Sequence, residues 1–158
     1  MTNQIESRLA DAGVELPVPG APVANYLAAV RTGDTLYISG QLPMQDGKVA
    51  ETGLLTGDGD VERGKRAARY CAVNILAQAK AALGGFDEIE RLLKIGVFVA
   101  SSPDFTSQHL VANGASDFLV EMLGETIGKH ARAAVGVPAL PLGAAVEIDA
   151  IFALKNDR

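Results

Sequence analysis

The sequence predicts an α+β fold, a two-layer sandwich in which a mixed β-sheet carries two long helices on one face. Three observations predict it. The hydrophobic period switches between two and 3.6 along the chain, in the order helix, two or three strands, helix, strand, helix, strand, strand. The helix-free connections at both ends of that series imply a mixed sheet rather than a doubly wound one. A length of 158 residues, 48% of them hydrophobic, suits one ordinary domain over residues 1–158 with its own core. With both helices on one side, one face of the sheet is left for something else to cover, most simply another copy of the chain.

The elements follow in order. Residues 1–22 form an N-terminal helix and a Pro-rich extension. In the helix Asn3 and Glu6 have capping-box spacing, Ile5, Leu9 and Ala12 share a face, and Gly13 ends it. "VELPVPGAP" is an extended connector. From Tyr26 the period becomes two, giving strand, turn at Gly33-Asp34 and strand, then an Asp46-Gly47 hairpin signal of type I′. "ETGLLTGDG" is loop. Asp60 N-caps a long helix whose stripe is Ala68, Cys71, Ile75, Ala79 and Ala82, ended by Gly84-Gly85. Phe86 to Arg91 is expected as a short helical turn, and "LLKIGVFVA" as a buried strand. After the turn "SSPD", a second long helix is expected from Thr106 to Leu123, with Leu110, Val111, Ala115, Phe118, Leu119 and Met122 facing inward and Gly124 as its stop. "HARAAVGVPALPLGAAVEIDAIFAL" closes the chain as two strands joined by a Pro/Gly turn.

Composition narrows the function. The 14 Lys and Arg against 19 Asp and Glu give a net charge of −5, with no basic run to track a phosphate backbone, which argues against nucleic acid as a partner. Aromatic residues are only 5% of the chain, a modest core that favours burying further surface in an oligomer. The single cysteine, Cys71, rules out an internal disulfide and reads as a small buried hydrophobe. No phosphate-binding loop, dinucleotide fingerprint or zinc-ligand spacing appears, so no cofactor and no metal are expected. "GDGDVERG" lacks the glutamate a calcium loop needs at its end and reads as a solvated turn. With no apolar signal core and no membrane-length apolar run, a cytoplasmic protein with no membrane partner is the expectation.

Two charged residues stand in the closing strands. Alternation puts Arg132, Ala134 and Gly136 on one face of their strand, and Glu147, Asp149 and Ile151 on one face of theirs. If the strands pair, Arg132 and Glu147 come near one another, either as a cross-strand ion pair contributing about 0–1 kcal/mol when exposed, or as parts of a site. The small neighbours Ala134 and Gly136 leave room beside the guanidinium for a small carboxylate, which its planar fork binds bidentately.

"YISGQLP", "ARYCAVNILAQAKAAL" and "ARAAVGVPALPLGAAVEIDAI", in this order and spacing over Ala24 to Leu154, resemble the Rid/YjgF family of reactive-intermediate imine deaminases, also called endoribonuclease L-PSP-like. The chain resembles most a longer branch of that family, whose functions are mostly unassigned. The resemblance implies a fold like trimeric chorismate mutase, a homotrimer with its sheets gathered into a central barrel, and active sites in clefts between neighbouring subunits. It implies that Arg132 clamps a substrate carboxylate and that Glu147 positions or activates water. It places Tyr26, Ser39, Gly40 and Ala134 at the substrate. Imine hydrolysis then needs little beyond positioning and a general base. Where the family often has Ser or Thr and then Cys after the arginine, this chain has Ala133 and Ala134, which leaves the substrate's identity open. The family's helix asparagine matches either His109 or Asn113, and His130 stands either solvated or at the mouth of the cleft. Without the resemblance, Tyr26 is a half-buried strand cap, Ser39-Gly40 a bulge, and Gln41 a partner for backbone groups there. Two other readings are a carboxylate-binding or sensing trimer without turnover, favoured by the two alanines, and an RNA-cleaving protein, disfavoured by the acidic charge.

Overall fold

The computed structural model describes residues 3–156. α1 (Gln4–Asp11) is N-capped by Asn3, whose side-chain oxygen accepts the Ile5 N–H at 2.8 Å. Glu6 does not complete a capping box; it pairs with Lys80 of the next helix at 3.1 Å. Ile5 and Leu9 are buried and Ala12 is exposed, because the helix stops there and Gly13 turns the chain away at φ 67°. The proline-bearing segment that follows has no regular structure, and the strand expected from Tyr26 begins only at Ala29.

β1 (Ala29–Thr32) and β2 (Thr35–Gln41) pair antiparallel across Gly33-Asp34. β3 (Met44–Gln45) and β4 (Lys48–Val49) form a separate ribbon, with Asp46 at φ 51° and Gly47 at φ 76°, the two positive values a type I′ turn requires. Asp58–Asp60 is a 3-10 turn leading into α2 (Val61–Leu83). Asp60 stands at the N-cap but its carboxylate does not cap α2; it accepts the Thr56 N–H at 2.8 Å, the main cause of its lowered pKa. Ala68, Cys71, Ile75 and Ala79 are fully buried, while Ala82 lies past the stripe's end and is exposed. Burial pushes the Cys71 thiol pKa up.

Over residues 86–91 only a single turn forms, closed by the Ile89 N–H donating to the Phe86 carbonyl at 3.1 Å, and no helix. β5 (Ile89–Ala100) starts there instead, because its pairing with β7 continues to Ile89↔Leu154 and buries both residues. α3 (Gln108–Leu123) starts two residues later than Thr106. Val111, Ala115, Phe118, Leu119 and Met122 are buried, but Leu110 is 39% exposed. A short α4 (Glu125–Gly128), absent from the sequence reading, precedes β6 (Ala131–Val137), and β7 (Val146–Leu154) ends the sheet.

The sheet order is β1-β2-β7-β5-β6, antiparallel except for β5 and β6, so the two-layer α+β architecture with a mixed sheet is what forms. The closing strands β6 and β7 do not pair with each other. The β5–α3–β6 crossover lays β6 parallel along the outer side of β5, and the Pro-containing link to β7 returns the chain to β5's other side. Leu36, Ile38, Ile95, Val97, Val146, Ile148, Ala150 and Phe152 face α2 and α3 and are buried. The opposite face carries Tyr37, Phe98, Val135 and Ile151 with no layer over it among the described residues; Val30, Tyr37 and Val135 are each nearly half exposed. Among the described residues no helix is long and apolar enough to cross a membrane.

α2 and α3 cross at Gly114, where a Cβ would lie 2.7 Å from the Lys65 Cα and 2.8 Å from its carbonyl carbon. Those are backbone atoms, so Gly114→Ala must force the helices apart and is expected to destabilise by about 1–3 kcal/mol. Gly59→Ala, with nothing near the new methyl, is the control. Denaturant midpoints of the two variants check this; equal midpoints would contradict the close crossing.

Candidate functional site

Arg132 lies near the start of β6, paired with Ile95 of β5, and therefore on the helix-covered face. Its guanidinium reaches over the sheet edge to α3. Nη1 donates to the Asn113 side-chain oxygen at 2.8 Å and to Ser116 Oγ at 3.0 Å, and Nη2 donates to the His109 carbonyl at 3.0 Å. Of the five N–H donors of a guanidinium, Nε–H and one on Nη2 have no acceptor among the described residues. They lie on the exposed side chain of an edge strand, held by a rigid helix. Asn113, not His109, supplies the side-chain contact; His109 gives only its carbonyl. Ala134, on the same face of β6, adds a methyl and no polar group.

His130, just before β6, is half-buried. Its Nδ1 is 2.5 Å from the Gly128 carbonyl and its Nε2 3.0 Å from Ser116 Oγ. A carbonyl only accepts, so Nδ1 carries the proton and Nε2 of the neutral ring accepts from the Ser116 hydroxyl. Burial first, and the Arg132 charge as well, lower its pKa, against a raising contribution from the Gly128 contact.

Glu147 pairs with Phe98 on β5 and lies on the open face. Its carboxylate stands over Gly40. A Cβ at Gly40 would overlap Oε1 and lie 3.0 Å from Cδ, so the missing side chain is the carboxylate's space. Ser39 and Gly40 form a bulge between the Ile38↔Ala150 and Gln41↔Ile148 pairs. Gln41 Nε2 donates to the Ser39 carbonyl at 2.9 Å, and Ser39 Oγ donates to the Leu27 carbonyl at 2.6 Å. That second bond seats the segment holding Tyr26, 57% exposed in a bend, beside the bulge. Burial, and secondarily the charge of Asp149, raise the Glu147 pKa.

The two candidate catalytic residues do not meet within the chain. Their Cα atoms are two strand spacings apart and offset along β5 from Ile95 to Phe98, about 14 Å at ordinary sheet geometry, and their side chains are on opposite faces. A cross-strand ion pair between them is thereby removed. The structure gives two half-sites: a donor edge held by α3, and a carboxylate over a glycine bulge with Tyr26 nearby. A groove of about 940 Å³ between α1, the Pro-rich segment and α2 holds none of these residues. The sequence alone does not single out Ser116. The signal for it is the polar series His109, Asn113, Ser116, spaced i, i+4, i+7 along one side of α3.

The fold defines the chain as a mixed-sheet α+β sandwich, and sequence comparison identifies the family. The chain belongs to the Endoribonuclease L-PSP family, the YjgF/Rid family, whose sequence profile matches residues 18–154. It is 46% identical over 155 residues to Protein TCP17 of Trypanosoma cruzi, covering 98% of this chain and 97% of that protein. It is 27% identical over 142 residues to a 2-iminobutanoate/2-iminopropanoate deaminase of Dermatophagoides farinae, covering 90% of this chain and 95% of that one. The crystal structure of Atu1372, a protein of unknown function from Agrobacterium tumefaciens, superposes with a TM-score of 0.87 at 52% identity, covering 96% of this chain and 94% of that chain.

The lowered pKa of His130 has a sign that can be tested. A histidine held neutral in the fold costs stability as pH falls from its ordinary value of about 6.5 towards its folded value, and the loss levels off below that. Urea unfolding of the wild type across this range should show that loss, and His130→Gln should lack the corresponding part of the slope. Identical slopes would contradict the buried, neutral ring.

Proposed function

We propose that this chain is an imine deaminase-like hydrolase acting on small 2-imino carboxylates, at sites assembled between subunits of a homotrimer. The observation that carries the reading is the split site: a guanidinium with two free N–H donors on one face, and a carboxylate of raised pKa on the other. One copy of the chain cannot bring both to one small molecule. Packing the open apolar faces of three copies into a barrel covers Val30, Tyr37 and Val135 and lets the sheet edge of one copy approach the bulge of the next. The relative named as an imine deaminase supports the same chemistry.

In this reading Nε–H and Nη2–H of Arg132 hold the substrate carboxylate. Glu147 of the neighbouring copy takes a proton from water as its oxygen bonds to the imine carbon. The C=N π pair moves to nitrogen, which takes the proton from Glu147. In the collapse of the carbinolamine Glu147 takes the hydroxyl proton and passes it to the nitrogen, the C–N bond breaks, and ammonia departs, leaving the 2-oxo acid. The raised pKa makes Glu147 a stronger base than an ordinary glutamate. Tyr26, Ser39 and Gly40 line the bulge side of the cleft, and Ala134 the arginine side. Ala133 and Ala134 support a second reading, a carboxylate-binding or sensing trimer without turnover, because they leave the cleft short of polar groups.

The test is hydrolysis of 2-imino acids generated by an amino-acid oxidase, with semicarbazide competing for the imine. Wild type should accelerate 2-oxo acid formation. Arg132→Ala and Glu147→Gln should each lose about 100-fold or more, the range expected for lost positioning and a lost general base. No acceleration across a panel of amino acids, together with saturable carboxylate binding that Arg132→Ala abolishes, would leave the binding reading in its place.

A further inference from the structure

Arg132 does not stand alone on its helix. Behind it runs a chain of hydrogen bonds whose direction is fixed from the far end. The Gly128 carbonyl can only accept, so His130 Nδ1 donates to it at 2.5 Å. Nε2 is then a bare acceptor, so the Ser116 hydroxyl hydrogen points to it at 3.0 Å. The Ser116 oxygen therefore turns its lone pairs towards Arg132, whose Nη1 donates to it at 3.0 Å. We propose that Ser116 and His130 are positioning residues that set the plane of the Arg132 guanidinium, so that its Nε and Nη2 donors face outward together as a carboxylate fork. Neither residue touches the substrate.

The geometry favours this over a purely structural role. Asn113 holds the same Nη1 at 2.8 Å, and the His109 carbonyl holds Nη2 at 3.0 Å. Three anchors from three residues of one helix, at two nitrogens, fix both the position and the tilt of a planar group; two anchors leave it free to swing about the line joining them. Ser116 is the anchor that removes the swing, and His130 orients Ser116. Among the described residues Ser116 Oγ bonds only these two partners, so its hydroxyl has no competing task. The same direction requires a neutral imidazole. Burial, and the cation of Arg132, favour that form. An imidazolium would aim a second N–H at the one oxygen that Arg132 already uses.

The inference rests on the proposed carboxylate clamp only for its kinetic consequence, and the experiment separates the two. Nitrogen NMR of 15N-labelled wild-type protein at neutral pH should find His130 as the Nδ1–H tautomer, with Nε2 at an acceptor shift. In Ser116→Ala that shift should move, and rotation of the Arg132 Nη groups should quicken. A wild-type Nε2–H tautomer, or unchanged Arg132 dynamics in Ser116→Ala, would overturn the relay whether or not the protein turns over imines. In the imine assay, Ser116→Ala and His130→Ala should each raise KM about five- to tenfold with kcat little changed, as for a loosened but present clamp. The double variant should be no worse than either single one, since both break one chain. Ser116→Thr, which keeps the hydroxyl, should restore the wild-type KM. Additive losses, or no rescue by threonine, would also overturn it. Absence of turnover with the expected NMR shifts would count against the deaminase reading and leave the relay standing.

Discussion

β5 is hydrogen-bonded on one side to β6 and on the other to β7, and the candidate site depends on that insertion. Because β5 separates the strands, Arg132 and Glu147 are two strand spacings apart. Because their partners on β5 are Ile95 and Phe98, of opposite parity, one side chain goes to the helix layer and the other to the open face. The guanidinium can then be gripped by α3. The carboxylate is left against a sheet surface that none of the described residues covers.

Each half is built for stiffness by a different device. On the arginine side, three groups of one helix hold a planar cation with two donors to spare. On the glutamate side, a two-residue bulge removes a side chain where the carboxylate must stand, and Gln41 and Ser39 pin the bulge to its surroundings. Partial burial beside Asp149 then raises the Glu147 pKa. The uncovered face with Val30, Tyr37 and Val135 lies on the carboxylate side of the sheet. In the proposed trimer, the packing that covers this apolar surface also completes the cleft.

Much of this was legible in the sequence because it is local. Period and punctuation locate α1, α2, α3, the Asp46-Gly47 hairpin and most strands, and the Ser39-Gly40 and Gln41 readings as bulge and backbone partner are what the structure contains. What was not legible depends on which strand lies beside which. The Phe86 to Arg91 segment has helical composition, but β7 draws its second half into the sheet. Tyr26 is close enough in sequence to β1 to read as strand, yet three prolines upstream and the Ser39 bond to Leu27 keep it in a bend. β6 and β7 look like a hairpin because a short Pro/Gly segment joins them. Only the β5–α3–β6 crossover, a non-local pairing, shows otherwise. Ser116 is not legible for a related reason: a serine in an apolar helix acquires meaning only once β6 is known to run beneath it.

The central claim is that no single chain holds a complete site. The most direct measurement mixes two inactive variants. Differently tagged Arg132→Ala and Glu147→Gln chains are co-refolded at equal amounts, mixed oligomers are isolated through both tags, and imine hydrolysis is measured. In a mixed trimer, a site that takes its arginine from one chain and its glutamate from the next regains both at one of its three interfaces, so about one third of wild-type activity should return. Mixed oligomers as inactive as either parent, from a wild type that is active, would contradict the account.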